Sequence, residues 1–172
     1  MPSANENTLD DAIRLREAGL LAASYVMLKT QIARARRSHG HKSYEAQCAI
    51  SQLGRTLLAM GRGEQASTLH WEVLAMRLEL YGRRDSYTQN SAAILAGTLR
   101  TGLGDNYMAA AVECWAADPE IPRAATGDHK PLSASELQRT IRDRAAKPGL
   151  AIARLVEEYL QFQRQSTAGS AI

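Results

Sequence analysis

One stretch of the chain repeats itself at a distance of 43 residues, and this limits the fold more than any other feature. Ser43-Tyr44 returns as Ser86-Tyr87; in the same register Ala49 meets Ala92, Gly54 meets Gly97, Gly61 meets Gly104 and Ala66 meets Ala109. Periods of about 20 to 50 residues mark architectures whose unit cannot bury its apolar face alone, so neighbouring units must stack. The matched slots are small residues, as expected where two helices cross closely and a branched Cβ would push their axes apart. Gly61 and Gly104 fall where a first helix must turn into a second, and Ser43 and Ser86 are placed to cap the first helices.

The local pattern is helical throughout. Ala66, Leu69, His70, Val73, Met76 and Leu80 recur at spacings of three and four, one face of a helix over 66–81, and Ile152, Leu155, Val156 and Tyr159 do the same over 150–165. Ser133-Ala-Ser-Glu136 reads as a capping box ahead of Leu137, Ile141 and Ala145, with Pro148-Gly149 ending that helix. Nothing alternates as a strand would, so the fold class is all-α. The apolar slots agree less well between units: Leu53 meets Ala96, and Leu57 meets Arg100.

In the first unit Leu53-Gly54, Leu57, Gly61, Gly63 and Ala66 stand at the consensus spacing of the tetratricopeptide repeat family, which the chain resembles. The second unit keeps Gly97, Gly104 and Ala109 but departs at Ala96, Arg100 and Asn106. A period of 43 exceeds the family's usual length of about 34 by roughly two and a half helical turns. It is similar to the longer-repeat branch typified by kinesin light chains, as is the run Glu72-Val-Leu-Ala-Met-Arg-Leu-Glu-Leu-Tyr-Gly82. Gly19, Ser24, Ile32 and Gly40 suggest a degenerate earlier unit.

The resemblance implies a single right-handed α-solenoid of stacked hairpins, about seven helices in all. Its expected parts are a degenerate N-terminal hairpin (8–42), two tetratricopeptide-like repeats (43–85 and 86–118), a loop (119–132), capping helices (133–165) and a tail (166–172). It further implies a concave groove lined by the first helix of each hairpin, which maps onto Ser51, Gln52, Arg55, Leu58, Ile94, Leu95 and Thr98. The Lys, Arg and Asn set with which some members clamp a C-terminal carboxylate is absent.

Composition narrows the function. In 172 residues, 21 Lys and Arg stand against 18 Asp and Glu, a net charge of +3, well short of a dedicated nucleic-acid arm. The longest nearly apolar run, Ala18 to Leu28, falls short of the roughly 20 residues that span a bilayer. With no apolar leader in the first residues, the expected location is cytoplasmic. Cys48 and Cys114 read as reduced, half-buried small hydrophobes. His39-Gly-His41 with Cys48 lacks the four-ligand spacing of a structural zinc site, so no metal is expected. His70 occupies a slot usually filled by an aromatic and reads as core. His129 reads as a loop residue, and Glu157-Glu158 as a solvated face. No nucleophile elbow, phosphate loop or paired metal-ligand helix is present; no cofactor and no enzymatic activity are expected.

Basic residues gather between units: Arg36, Arg37, His39, His41 and Lys42 after one, Arg83 and Arg84 after the next. Stacking would align them as a ridge, extended by Arg123 and Lys130 and partly balanced by Glu45 and Asp85. No aromatics interleave with these charges to stack bases, which argues against nucleic acid. Trp71 and Trp115 are expected between units. The function expected is a non-catalytic interaction module, an adaptor, chaperone or regulatory subunit, that grips a protein or peptide partner in the concave groove, with the basic ridge steering partners that are acidic. Two alternatives stay open: a self-assembling structural homo-oligomer, and a small enzyme or nucleic-acid accessory protein using the ridge.

Overall fold

The computed structural model describes residues 8–117 and 134–146, and every regular element in them is an α-helix. They are α1 (Leu9–Glu17), α2 (Leu21–His39), α3 (Tyr44–Ala59), α4 (Gly63–Tyr81), α5 (Ser86–Leu103), α6 (Asn106–Ala117) and α7 (Ala134–Ala146). The first five each pack on the next in the chain, through connections of two to four residues that force neighbours antiparallel. The expected loop at 119–132, the helix at 150–165 and the tail at 166–172 lie outside the described residues. So do Arg123, His129, Lys130, Glu157 and Glu158.

Glycines in the left-handed region set the alternation. Gly19, Gly61 and Gly104 have φ of 77°, 74° and 66° and follow α1, α3 and α5; Gly40 and Gly82, at 95° and 80°, follow α2 and α4. Behind α1 the Gly19 N–H reaches the Arg16 carbonyl and the Leu20 N–H reaches Leu15. The same pair of bonds recurs behind α3, from Gly61 to Leu58 and from Arg62 to Leu57. This closure needs a residue free to adopt positive φ, which only glycine does without strain.

Ser43 caps α3, its hydroxyl accepting from the Ala46 N–H at 3.3 Å. At α5 the expected cap is displaced by one residue. Asp85, not Ser86, holds the extended cap conformation and accepts from the Tyr87 N–H at 2.8 Å. A carboxylate there also meets the positive end of the helix dipole.

The core divides in two, and α4 belongs to both halves. Leu69 and Val73 of α4 pack with Ala12, Leu28, Ile32, Ile50, Leu53 and Leu57. On its other side Trp71 and Leu74 pack with Leu95, Leu99, Val112, Trp115, Leu137 and Ile141. The periodic stripe over 66–81 therefore describes only the first of two buried faces. Leu80, at its end, is 46% exposed.

Close crossings occur at two of the expected glycine slots and fail at a third. A Cβ on Gly54 would stand 2.3 Å from the His70 ring, and one on Gly63 would stand 2.3 Å from the Gly102 carbonyl oxygen. Gly97 is different: a Cβ there would meet nothing within 4 Å. At the slot that His70 fills in the first unit the second has Glu113, which bonds Arg100 and does not pack on Gly97.

α7 lies chiefly against α4 and secondarily against α6. The described part of the expected cap thus flanks the second helices of the hairpins, because Leu137 and Ile141 enter the cluster around Trp71 and Trp115.

Candidate functional site

Polar ties cross the boundaries between hairpins. In α2 the Ser24 hydroxyl donates to the Ala12 carbonyl at 2.8 Å and meets the Thr56 hydroxyl at 3.1 Å, joining α1, α2 and α3. In α4, His70 does the same for α3, α4 and α5. Its Nε2 lies 3.2 Å from the Ser51 carbonyl, and its Nδ1 lies 2.8 Å from the Thr98 hydroxyl. A carbonyl can only accept, so Nε2 carries the proton and Nδ1 accepts from Thr98. Burial pushes His70 down to about 4, the Ser51 bond opposing and the Arg55 cation adding to the fall. His70 is a neutral structural joint with no open face for catalysis.

The seven residues mapped to the groove are not equally available. Arg55 is exposed, and Gln52, Leu58 and Ile94 are half-buried. Ser51, Leu95 and Thr98 are buried, and a partner cannot touch them without repacking. Ser51 and Thr98 are the residues tied to His70, and Leu95 belongs to the second core cluster. Gln52 accepts from Arg16 of α1 at 2.6 Å. Burial and then the neighbouring Arg55 cation lower the Arg16 guanidinium, with Glu17 opposing. Two cations from different helices therefore share this face.

The sequence mapping left out the aromatic end of the same face. Tyr44, Cys48, Ser51 and Arg55 follow one another at four, three and four residues, one stripe of α3. Tyr44 and Tyr87, equivalent in the repeat, stack edge to face with ring centroids 5.5 Å apart, and Tyr81 joins Tyr87 at 5.9 Å. All three are large, exposed side chains. The hydrogen bond with Cys48 first, then the Cys48 charge and the Tyr87 phenol, raise Tyr44 to about 12. The signal was present in the recurrent Ser-Tyr dipeptide.

Arg77 lies beneath this cluster, 4% exposed. Its Nε donates to Gln47 Oε1 at 3.2 Å, and its Nη1 donates to the Tyr87 carbonyl at 3.1 Å and to Ser91 Oγ at 2.8 Å. The guanidinium carbon stands 5.6 Å from the Tyr87 ring centre.

The expected ridge is broken into pairs. Arg36 is half-buried and bonds Glu72 at 3.1 Å, and Lys42 bonds Glu79 at 2.6 Å. These two glutamates of α4, rather than Glu45 and Asp85, are its ion-pair partners. Burial raises Glu72, with the Arg36 charge and hydrogen bond opposing. Arg83 lies 5.9 Å from the Trp115 ring centre, while Arg37, His39, His41 and Arg84 remain exposed. A cleft of about 840 Å³ opens between α4, α6 and α7, with Leu78, Arg83, Trp115, Ile141 and Arg142 among its walls.

Cys48 and Cys114 are free and half-buried. Among the described residues, no three His, Cys, Asp or Glu side chains gather as a metal site would require, and no helix is long and apolar enough to cross a membrane. Comparison of the chain with protein-family models, with curated proteins and with solved structures returns no match.

Proposed function

We propose that this chain is a tetratricopeptide-like helical solenoid acting as a non-catalytic interaction module, which holds a polypeptide segment along the first helices of its hairpins. The observation that carries this reading is the openness of that face. The main contacts of α7 are with α4 and α6, and among the described residues no helix packs over the outward stripe of α3. Along that stripe stand Tyr44, Arg55 and the half-buried Gln52, while α5 adds Tyr87 and Ile94. Exposed tyrosine and arginine are the side chains that most often anchor protein interfaces.

Two further features support the solenoid. The left-handed glycines alternate in two registers along the chain, and Ser24 and His70 each tie a second helix to the first helices on either side. The Tyr44-to-Arg55 stripe is about 16 Å long at 1.5 Å per residue, a span that about five extended residues of a partner would cover.

The test is capture from source-cell lysate by the tagged full chain, compared with an Arg55→Glu/Ile94→Ser double variant. Both substitutions touch exposed or half-buried surface, so the fold should be retained, and circular dichroism checks that it is. A polypeptide held by the parent at high salt should be lost by the variant. Retention by both at equal strength refutes the groove, and recovery of the bait alone points to self-assembly.

A further inference from the structure

The Arg77 guanidinium combines three properties that rarely occur together. It is nine-tenths buried, all its hydrogen bonds go to neutral acceptors, and no carboxylate among the described residues lies within ion-pair reach. The nearby carboxylates are otherwise engaged: Glu79 pairs with Lys42, and Asp85 caps α5 through the Tyr87 N–H. A cation removed from water normally recovers the cost through an anion as well as through hydrogen bonds. The hydrogen-bonding half is present here, from Gln47, Ser91 and the Tyr87 carbonyl, and among the described residues no anion accompanies it. Nη2 makes no hydrogen bond within the described residues, yet it is not among the side-chain atoms sealed from solvent without a partner.

Above this cation stand Tyr44, Tyr81 and Tyr87, each more than 40% exposed, in edge-to-face and tilted contact. Exposed aromatic clusters of this kind bury well against a partner and lose little side-chain entropy. Further along the same face Arg16 and Arg55 lie close enough for the second to lower the first; among the described residues neither forms an ion pair, and Glu17 only partly offsets the fall. The face is thus positive at both ends and aromatic at one.

We infer that the segment bound on this face is acidic, and that one of its carboxylates docks against Arg77 inside the Tyr44–Tyr81–Tyr87 cluster. This deepens the interaction-module reading and rests on it. Gln47 positions Arg77: its Oε1 accepts from Arg77 Nε, and its amide is held from the other side by the Lys42 carbonyl at 2.8 Å. The tyrosine rings exclude water around the docked carboxylate, which strengthens the charge-assisted bond.

The test uses the full chain and fluorescein-labelled hexaglutamate, followed by anisotropy at low salt, with hexalysine as the control. Hexaglutamate should bind saturably and hexalysine should not. Tyr44→Ala/Tyr87→Ala removes no charge, so net attraction is unchanged, yet it should weaken binding by about ten-fold or more. Arg77→Lys keeps a cation but loses the planar fork and should weaken binding similarly; because Arg77 is buried, the exposed tyrosine pair is the variant safest for the fold. Signals of the Arg77 side-chain N–H and the tyrosine rings should shift on titration.

Undiminished binding by the tyrosine variant overturns the inference. If Arg55→Glu abolishes binding in that case, the groove itself survives; if no variant matters, both readings fall. Binding to phosphatidylserine-doped vesicles with none to hexaglutamate also overturns it, in favour of a lipid surface.

Discussion

The two successive hairpins, α3–α4 and α5–α6, fill equivalent slots with opposite chemistry. In the first, Leu57 and His70 are both buried, the ring against Gly54. Forty-three residues on, the same slots hold Arg100 and Glu113, which form a bidentate ion pair on the surface. His70 faces α5, the next unit. Glu113 has no further hairpin to face among the described residues. A repeat with a neighbour needs an apolar or neutral joint, whereas the outer face of a last repeat must stay wet. Exposure of the outer face explains why the second unit departs from the first at Leu57→Arg100; Ala96, which stands where the first unit has Leu53, is fully buried in the second core cluster.

The largest consequence of this difference concerns acid. His70 sits near 4 when folded, against about 6.5 in an unfolded chain. The unfolded state therefore takes the proton first. Its contribution to stability is complete above about pH 6.5 and is lost progressively as pH falls toward 4, by an amount on the order of 3 kcal/mol. Glu72, raised by burial, works in the opposite sense, since the folded state takes up its proton more readily. Subtracting the urea-denaturation profile of His70→Gln from that of the parent isolates the histidine. A flat difference between pH 4 and 6.5 would show that His70 is not the neutral joint between hairpins.

Next in size is a pair of identical substitutions with opposite expected signs. Gly54→Ala drives a Cβ into the His70 ring, which Ser51 and Thr98 hold in place, and should cost about 1–3 kcal/mol. Gly97→Ala meets open space and relieves the entropic cost of a mid-helix glycine, a gain of roughly 0.5–1 kcal/mol. Equilibrium urea midpoints measure both. Two losses of equal size would mean that the second unit is crossed as closely as the first.

Much of this architecture is legible in the residues. Spacings of three and four identify the helices, and glycines 42 or 43 apart identify the turns, because both are local constraints. Depth of burial is not local. The family resemblance maps Ser51, Leu95 and Thr98 into one groove with Arg55, but their burial depends on neighbouring helices. The second buried face of α4, with Trp71 and Leu74, likewise depends on α5, α6 and α7 supplying Leu95, Trp115 and Ile141. Arg77 reads as one charge in an apolar run; only the fold brings Gln47 and Ser91, 30 and 14 residues away, to its guanidinium. The cap at α5 misleads for a smaller reason. Asp85 and Ser86 are both good capping residues, and the repeat favours the serine while the backbone selects the aspartate.

The smallest expected effect belongs to Arg100 and Glu113. Their carboxylate and guanidinium strengthen each other's charged forms: the hydrogen bond lowers Glu113 and raises Arg100. Both remain substantially exposed, so water and salt screen the pair, and ordering two long side chains offsets most of the attraction. A double-mutant cycle through Arg100→Ala and Glu113→Ala should give a coupling close to the error of the measurement at physiological salt, growing slightly when salt is removed. The cycle tests the asymmetry between hairpins directly. A coupling as large as the His70 effect, and insensitive to salt, would place the pair out of reach of solvent in solution. In that case the outer face of α5–α6 would be covered, by another part of the chain or by a second copy, and Arg100 and Glu113 would be a joint like His70 rather than the wet end of the stack.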